Sequence, residues 1–156
     1  MKKVLIPTKL DTIAAEMLEA TNVYQVVQEA GAALIDLAKA HPDTYALFVR
    51  SEKVSPEIMD LLPELKVIVR AGAGYNTIDI EYARTKGIDV MNTPGANSNA
   101  VAEEVVAMML ADARNIVKAD VTTRQGLWEK SGLMGREIAG KTVGVVGLGN
   151  IGKLLS

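Results

Sequence analysis

Three glycines, Gly147, Gly149 and Gly152, follow the apolar run Val143, Val145 and Val146 in the spacing G-x-G-x-x-G. In a dinucleotide site each has a separate task. The first makes a tight turn, the second lets backbone approach a pyrophosphate, and the third lets a helix pack closely on the strand before it. The amides of Asn150 and Ile151, where that helix opens, would face the phosphates. An acidic residue that takes the ribose hydroxyl is due about twenty residues further on, past Ser156. The stretch therefore does not separate NAD from NADP.

A turn of this kind needs a parallel sheet behind it, and the chain reads as one. Val4–Ile6, Tyr24–Val27, Tyr45–Val49, Leu65–Val69, Ile88–Met91 and Thr142–Val146 are short apolar runs bounded by turn residues. Helical patterns alternate with them: Asp11 can cap one carrying Ile13, Met17 and Leu18, Pro56 suits a first helical position, and Asp79 can cap another. Alternation predicts an open, mostly parallel sheet with helices on both faces. At Asn92–Asn97 the organisation changes, and a long apolar helix is predicted from about Asn99 to Ala119, buried on more than one side. Arg50 and Ser51 stand at the carboxyl end of the third strand, and Arg70 with the loop Ala71-Gly72-Ala73-Gly74 at that of the fourth.

Composition narrows the class. The 156 residues are 49% apolar with a net charge of -2, which describes a globular protein without the basic excess of a nucleic-acid binder. Cysteine is absent, excluding a disulfide scaffold, a thiol nucleophile and a thiolate metal site. The opening MKKVLIPTKL is too short in apolar residues for a signal peptide, and no run reaches membrane-spanning length. A cytoplasmic location is the simplest expectation.

The stretches VIVRAGAGYNTID (Val67–Asp79), MNTPGANSNAVAEEVV (Met91–Val106) and REIAGKTVGVVGLGNIG (Arg136–Gly152), in that order, resemble the D-isomer-specific 2-hydroxyacid dehydrogenases, and most of all their phosphoglycerate-oxidising members. The resemblance implies a flavodoxin-like parallel-sheet substrate lobe over residues 1–99. Residues 100–156 would then hold a connecting helix and the start of a Rossmann NAD-binding lobe. It implies NAD as cofactor, a small 2-hydroxy acid such as 3-phosphoglycerate as substrate, and a homodimer.

Site residues carry over by position. Gly72, Ala73 and Gly74 match the family loop whose amides hold the substrate carboxylate. Arg50 and Ser51 match an Arg-Ser pair suited to a substrate phosphate. Asn97 matches the asparagine of the connecting loop, while Arg70 is open between carboxylate binding and pairing with an acid. The family's proton-donating histidine with its glutamate, and its polarising arginine, fall in a later part of the family's chain. No catalytic residue is therefore assigned among the 156, and these residues taken alone are expected to be an inactive amino-terminal portion of a longer enzyme.

The other conspicuous residues have plainer readings. His41 suits a helix end, Glu103 and Glu104 a helix first turn, and Met108 and Met109 a core. Trp128 is expected to pack, with Lys130 solvated. Two alternatives stand beside the main reading: a family member acting on glyoxylate, hydroxypyruvate or D-lactate, and a non-catalytic module that senses NAD(H) and dimerises.

Overall fold

The computed structural model describes all 156 residues, in two compact units, Met1–Pro94 and Gly95–Ser156. The first unit is built on five parallel strands, β1 (Lys2–Ile6), β2 (Tyr24–Gln28), β3 (Thr44–Val49), β4 (Val67–Arg70) and β5 (Asp89–Asn92). Their spatial order is β2-β1-β3-β4-β5. Register runs from Val4 opposite Val26 through Leu47 opposite Ile68 to Ile68 opposite Val90.

Because successive strand residues point to opposite faces, each strand feeds two cores. Leu5, Leu47 and Ile68 point one way and pack with Leu37 and Ala38 of α2 (Leu34–Ala40), Ile58 and Met59 of α3 (Pro56–Asp60) and Ala83 of α4 (Ile80–Thr85). Val4, Ile6 and Ala46 point the other way, with Leu18 of α1 (Ile13–Glu19) packed against them. Burying each large side chain contributes roughly 1.5–3 kcal/mol. Helices thus cover both faces, as the alternating pattern requires.

The predicted Asp79 cap forms, its side chain accepting the Tyr82 amide at 2.9 Å. The N-cap position of α1 is Thr12 rather than Asp11, which accepts the Ile13 amide at 3.0 Å from one residue further out. His41 ends α2 through its backbone amide, which donates to the Leu37 carbonyl, and its ring lies 3.8 Å from the Glu29 carboxylate.

The second unit departs from expectation in four places. The long helix is two helices, α5 (Ser98–Ala113) and α6 (Ile116–Arg124). They are separated by Asn115, whose φ of 53° lies in the left-handed region that asparagine tolerates better than most residues. The break is fixed from a distance: the Arg136 amide donates to the Ala113 carbonyl at 2.8 Å, and Asn115 Nδ2 donates to Met134 O at 3.3 Å.

The helix is also less covered than predicted. Only Ser98, Ala102 and Ala113 of α5 are buried, while Val106, Met108 and Leu110 are exposed. An apolar helix surface is buried only where another element packs on it, and in this unit α5 meets only α6 and the short α7 (Gly152–Leu155).

Thr142–Val146, predicted as a buried strand, joins no sheet, and Val143 is 60% exposed. A strand exists only by pairing its N–H and C=O groups with a neighbour, and the second unit offers no such neighbour. Trp128, expected to pack, is 89% exposed.

Candidate functional site

In a parallel sheet ligands collect beyond the carboxyl ends of the strands, at the point where strand order reverses; for the order seen here that point lies between β1 and β3. Arg50 and Ser51 leave the end of β3 there, both exposed. Their backbone is held on two sides. Glu52 folds its carboxylate back so that Oε2 accepts the amides of Arg50 at 2.8 Å and Ser51 at 3.1 Å. Arg70 Nε, from the end of β4, donates to the Arg50 carbonyl at 2.9 Å.

The Thr8 hydroxyl, beyond β1, is near enough to favour the ionised form of Glu52. Burial pushes the Glu52 carboxyl up, but the amide of Arg50, its own amide, the Thr8 hydroxyl and the Ser51 amide together hold it below the ordinary glutamate range. It stays ionised at neutral pH.

Arg70 therefore braces a carbonyl, a role outside both sequence readings. Its guanidinium lies across Gly72, where a Cβ would come 1.7 Å from Nη1. A side chain at 72 would have to push the far end of Arg70 aside.

The Gly72–Gly74 loop is oriented by its carbonyls. The Gly72 carbonyl accepts the Thr93 amide at 3.1 Å, and the Ala73 carbonyl accepts Asn92 Nδ2 at 2.7 Å. Since each peptide is planar and trans, the amides of Ala73 and Gly74 point the opposite way, away from the end of β5. The Gly72 amide is already engaged by the Arg70 carbonyl at 2.8 Å. Below these loops a bridge from Val54 to Ile78 ties the segments after β3 and β4 together. A hollow of about 520 Å³ in this unit lies along the outer edge of β5 beside Ile80, Ile88 and Met91, and of these polar residues only Asn92 lines it.

In the second unit the glycine turn has the geometry its spacing predicts. Gly147 adopts φ of 99°, the left-handed region closed to most side chains. A Cβ at Gly149 would meet open space, whereas one at Gly152 would come 2.0 Å from the Gly147 carbonyl. The first glycine thus turns the chain, the second leaves an open approach, and the third permits contact between helix and turn.

The amides of Gly149, Asn150 and Ile151 make no backbone hydrogen bond, leaving them free to meet phosphate oxygens. These residues fit a pyrophosphate. Asn150 Nδ2 lies 3.3 Å from where a Cβ at Gly95 would be, so the start of the connecting loop reaches the turn. Asn97, two residues on, precedes α5 with its exposed side chain making no cap.

Among the plainer residues, Glu103 accepts from Asn99 Nδ2 at 2.8 Å, a contact within α5. Sequence reasoning missed Glu52, Thr8 and Asn92. The one available signal was an acid directly after an Arg-Ser pair at a strand end, where a carboxylate can turn back onto amides.

Fold and turn together define a class: a parallel-sheet α/β protein carrying a G-x-G-x-x-G turn. The profile of the D-isomer specific 2-hydroxyacid dehydrogenase catalytic domain matches residues 4–141, and the chain belongs to that family. It is 47% identical over 119 residues to the hydroxypyruvate reductase of Thermotoga maritima, a match covering 76% of this chain and 39% of the relative. It is 40% identical over 151 residues to the D-3-phosphoglycerate dehydrogenase of Archaeoglobus fulgidus, covering 96% of this chain and 28% of the relative.

Its fold is similar to that of the NAD-dependent formate dehydrogenase from Staphylococcus aureus in complex with NAD, with a TM-score of 0.82 and 25% identity over 99% of this chain and 52% of that one. The chain thus spans well under half the length of the two relatives and about half that of the solved structure. No helix is long and apolar enough to cross a membrane.

Proposed function

We propose that this chain supplies the substrate-binding unit and the first phosphate-binding turn of an enzyme that oxidises a D-2-hydroxy acid, or reduces the matching 2-oxo acid, with NAD. The observation that carries the reading is the doubly clamped Arg50–Ser51 backbone at the strand-order reversal, which presents a guanidinium and a hydroxyl from a fixed frame. NAD held at Gly147–Gly152 would supply the acceptor for the hydride on C2, and the hydroxyl proton would leave to a base.

The chain's own residues do the holding. The Ala73 and Gly74 amides take the substrate carboxylate, Asn97 contributes an amide from the connecting loop, and Arg50 and Ser51 take a phosphoryl group. The substrate on this reading is 3-phosphoglycerate, giving phosphohydroxypyruvate for serine synthesis. We assign proton transfer to none of the 156 residues; His41 is engaged at the end of α2.

The test is Arg50→Ala. Its dissociation constant for 3-phosphoglycerate is expected to rise tenfold or more, on the order of the 1.5–3 kcal/mol of a charge-assisted hydrogen bond. That for D-glycerate is expected to stay nearly unchanged. Equal losses would remove the phosphoryl role.

A second reading, an unphosphorylated acid such as hydroxypyruvate, glyoxylate or D-lactate, is favoured by one observation: Glu52 already occupies the amides of the Arg50–Ser51 turn. For assembly we propose a homodimer through the apolar faces of α5 and α6, where Met108, Val117 and Val121 line a shallow hollow and Trp128 stands exposed.

A further inference from the structure

The turn after β3 has the makings of an anion site: two successive amides, the Thr8 hydroxyl nearby from beyond β1, and a position at the reversal of strand order. The anion there is the protein's own. Glu52 takes the Arg50 amide at 2.8 Å and the Ser51 amide at 3.1 Å. Any ligand reaching this end of the site is left with the Arg50 guanidinium and the Ser51 hydroxyl. Both residues are exposed, and no carboxylate of the chain forms an ion pair with Arg50.

We propose that Glu52 is a specificity-determining residue: its carboxylate, fixed between β1 and β3, limits the negative charge that a ligand held by Arg50 and Ser51 can carry. The inference rests on the reading of Arg50 and Ser51 as a ligand-binding end. A phosphoryl group brings up to two negative charges to a point where one arginine offsets only one. The second then faces a half-buried carboxylate whose field water screens incompletely. A 2-hydroxy acid whose only charge is its carboxylate, held at the Ala73–Gly74 amides, does not meet this repulsion. Glu52 therefore weakens, without abolishing, the hold of Arg50 and Ser51 on a phosphorylated acid, and so sets how strongly the site favours it over an unphosphorylated 2-hydroxy or 2-oxo acid.

Glu52→Gln tests this directly, because the amide oxygen of glutamine can accept the same two backbone amides while the charge is gone. The probes are 3-phosphoglycerate and D-glycerate, which differ only in the phosphoryl group, titrated calorimetrically into the wild-type protein and the variant. The expected result is a gain of about tenfold in affinity for 3-phosphoglycerate, the Coulomb effect of one charge a few ångströms away at intermediate screening, with D-glycerate changed by less than about twofold. Equal changes for both probes, or weaker binding of 3-phosphoglycerate, would show Glu52 to be only a brace for the turn and overturn the proposal.

Arg50→Ala separates the two levels. If it selectively loses 3-phosphoglycerate while Glu52→Gln gains nothing, the Glu52 inference fails alone. If it affects both probes equally, the reading of the site fails with it, as it does if neither probe binds wild-type protein at millimolar concentration.

Discussion

At the scale of single residues, the site depends on where a side chain cannot be. Gly152 sits against the Gly147 carbonyl so closely that a methyl group would lie 2.0 Å from that oxygen, a backbone atom with no rotamer to yield. Gly152→Ala is expected to displace α7 from the turn and to weaken NADH binding tenfold or more, on the order of 1.4 kcal/mol per factor of ten, as read by the fluorescence of bound NADH. Unchanged binding would mean that the turn tolerates the shift.

Gly72 is a softer case, because its intruding neighbour is the far end of the Arg70 side chain, which can move. The three glycines of the turn were legible from spacing alone, since their geometry follows from backbone sterics local to six residues. Glu52 was not legible: an acid after a strand is ordinary, and only the folded turn shows both amides aimed at it.

At the scale of elements, the sequence is informative wherever an element carries its own start, stop and apolar face. All five strands of the sheet and the α4 cap at Asp79 are of that kind. Asp79→Ala is expected to cost about 1 kcal/mol of stability, the usual value of an N-cap, measured as a lower urea midpoint with an unchanged slope.

The errors fall where an element is defined by something remote. No glycine or proline marks the end of α5; the Ala113 carbonyl is taken by the amide of Arg136, 23 residues later in sequence, and an Asp112–Arg136 ion pair adds to the hook. A methyl group on neighbouring Gly135 would come 2.6 Å from the Ala113 carbonyl, so the hook depends on that glycine. Thr142–Val146 has the composition of a strand but no partner, and composition alone pairs nothing.

At the scale of the whole molecule, the largest unassigned surface is apolar. Val106, Met108, Leu110, Ile116, Val117 and Val121 are exposed on α5 and α6, more apolar surface than solvated helices ordinarily show. If it joins two copies of the chain, Val117→Glu, at a position 70% exposed, is expected to shift the protein toward monomer in sedimentation velocity without altering its helix content by circular dichroism. An unchanged oligomer distribution would place the contact elsewhere or remove it.

The parallel sheet has a further consequence, for assembly in time. No two of its strands can meet through a tight hairpin, because parallel neighbours need a crossover between them. The interior strand β1 gains its neighbour β3 only after Lys3 has found Thr44, across four tens of residues that include β2 and two helices. Such long closures make a chain slow to fold. On a ribosome, β1 therefore emerges as an apolar ribbon with an unpaired side until the chain as far as Val49 has followed it out, and the unit stays vulnerable to misassociation throughout that interval.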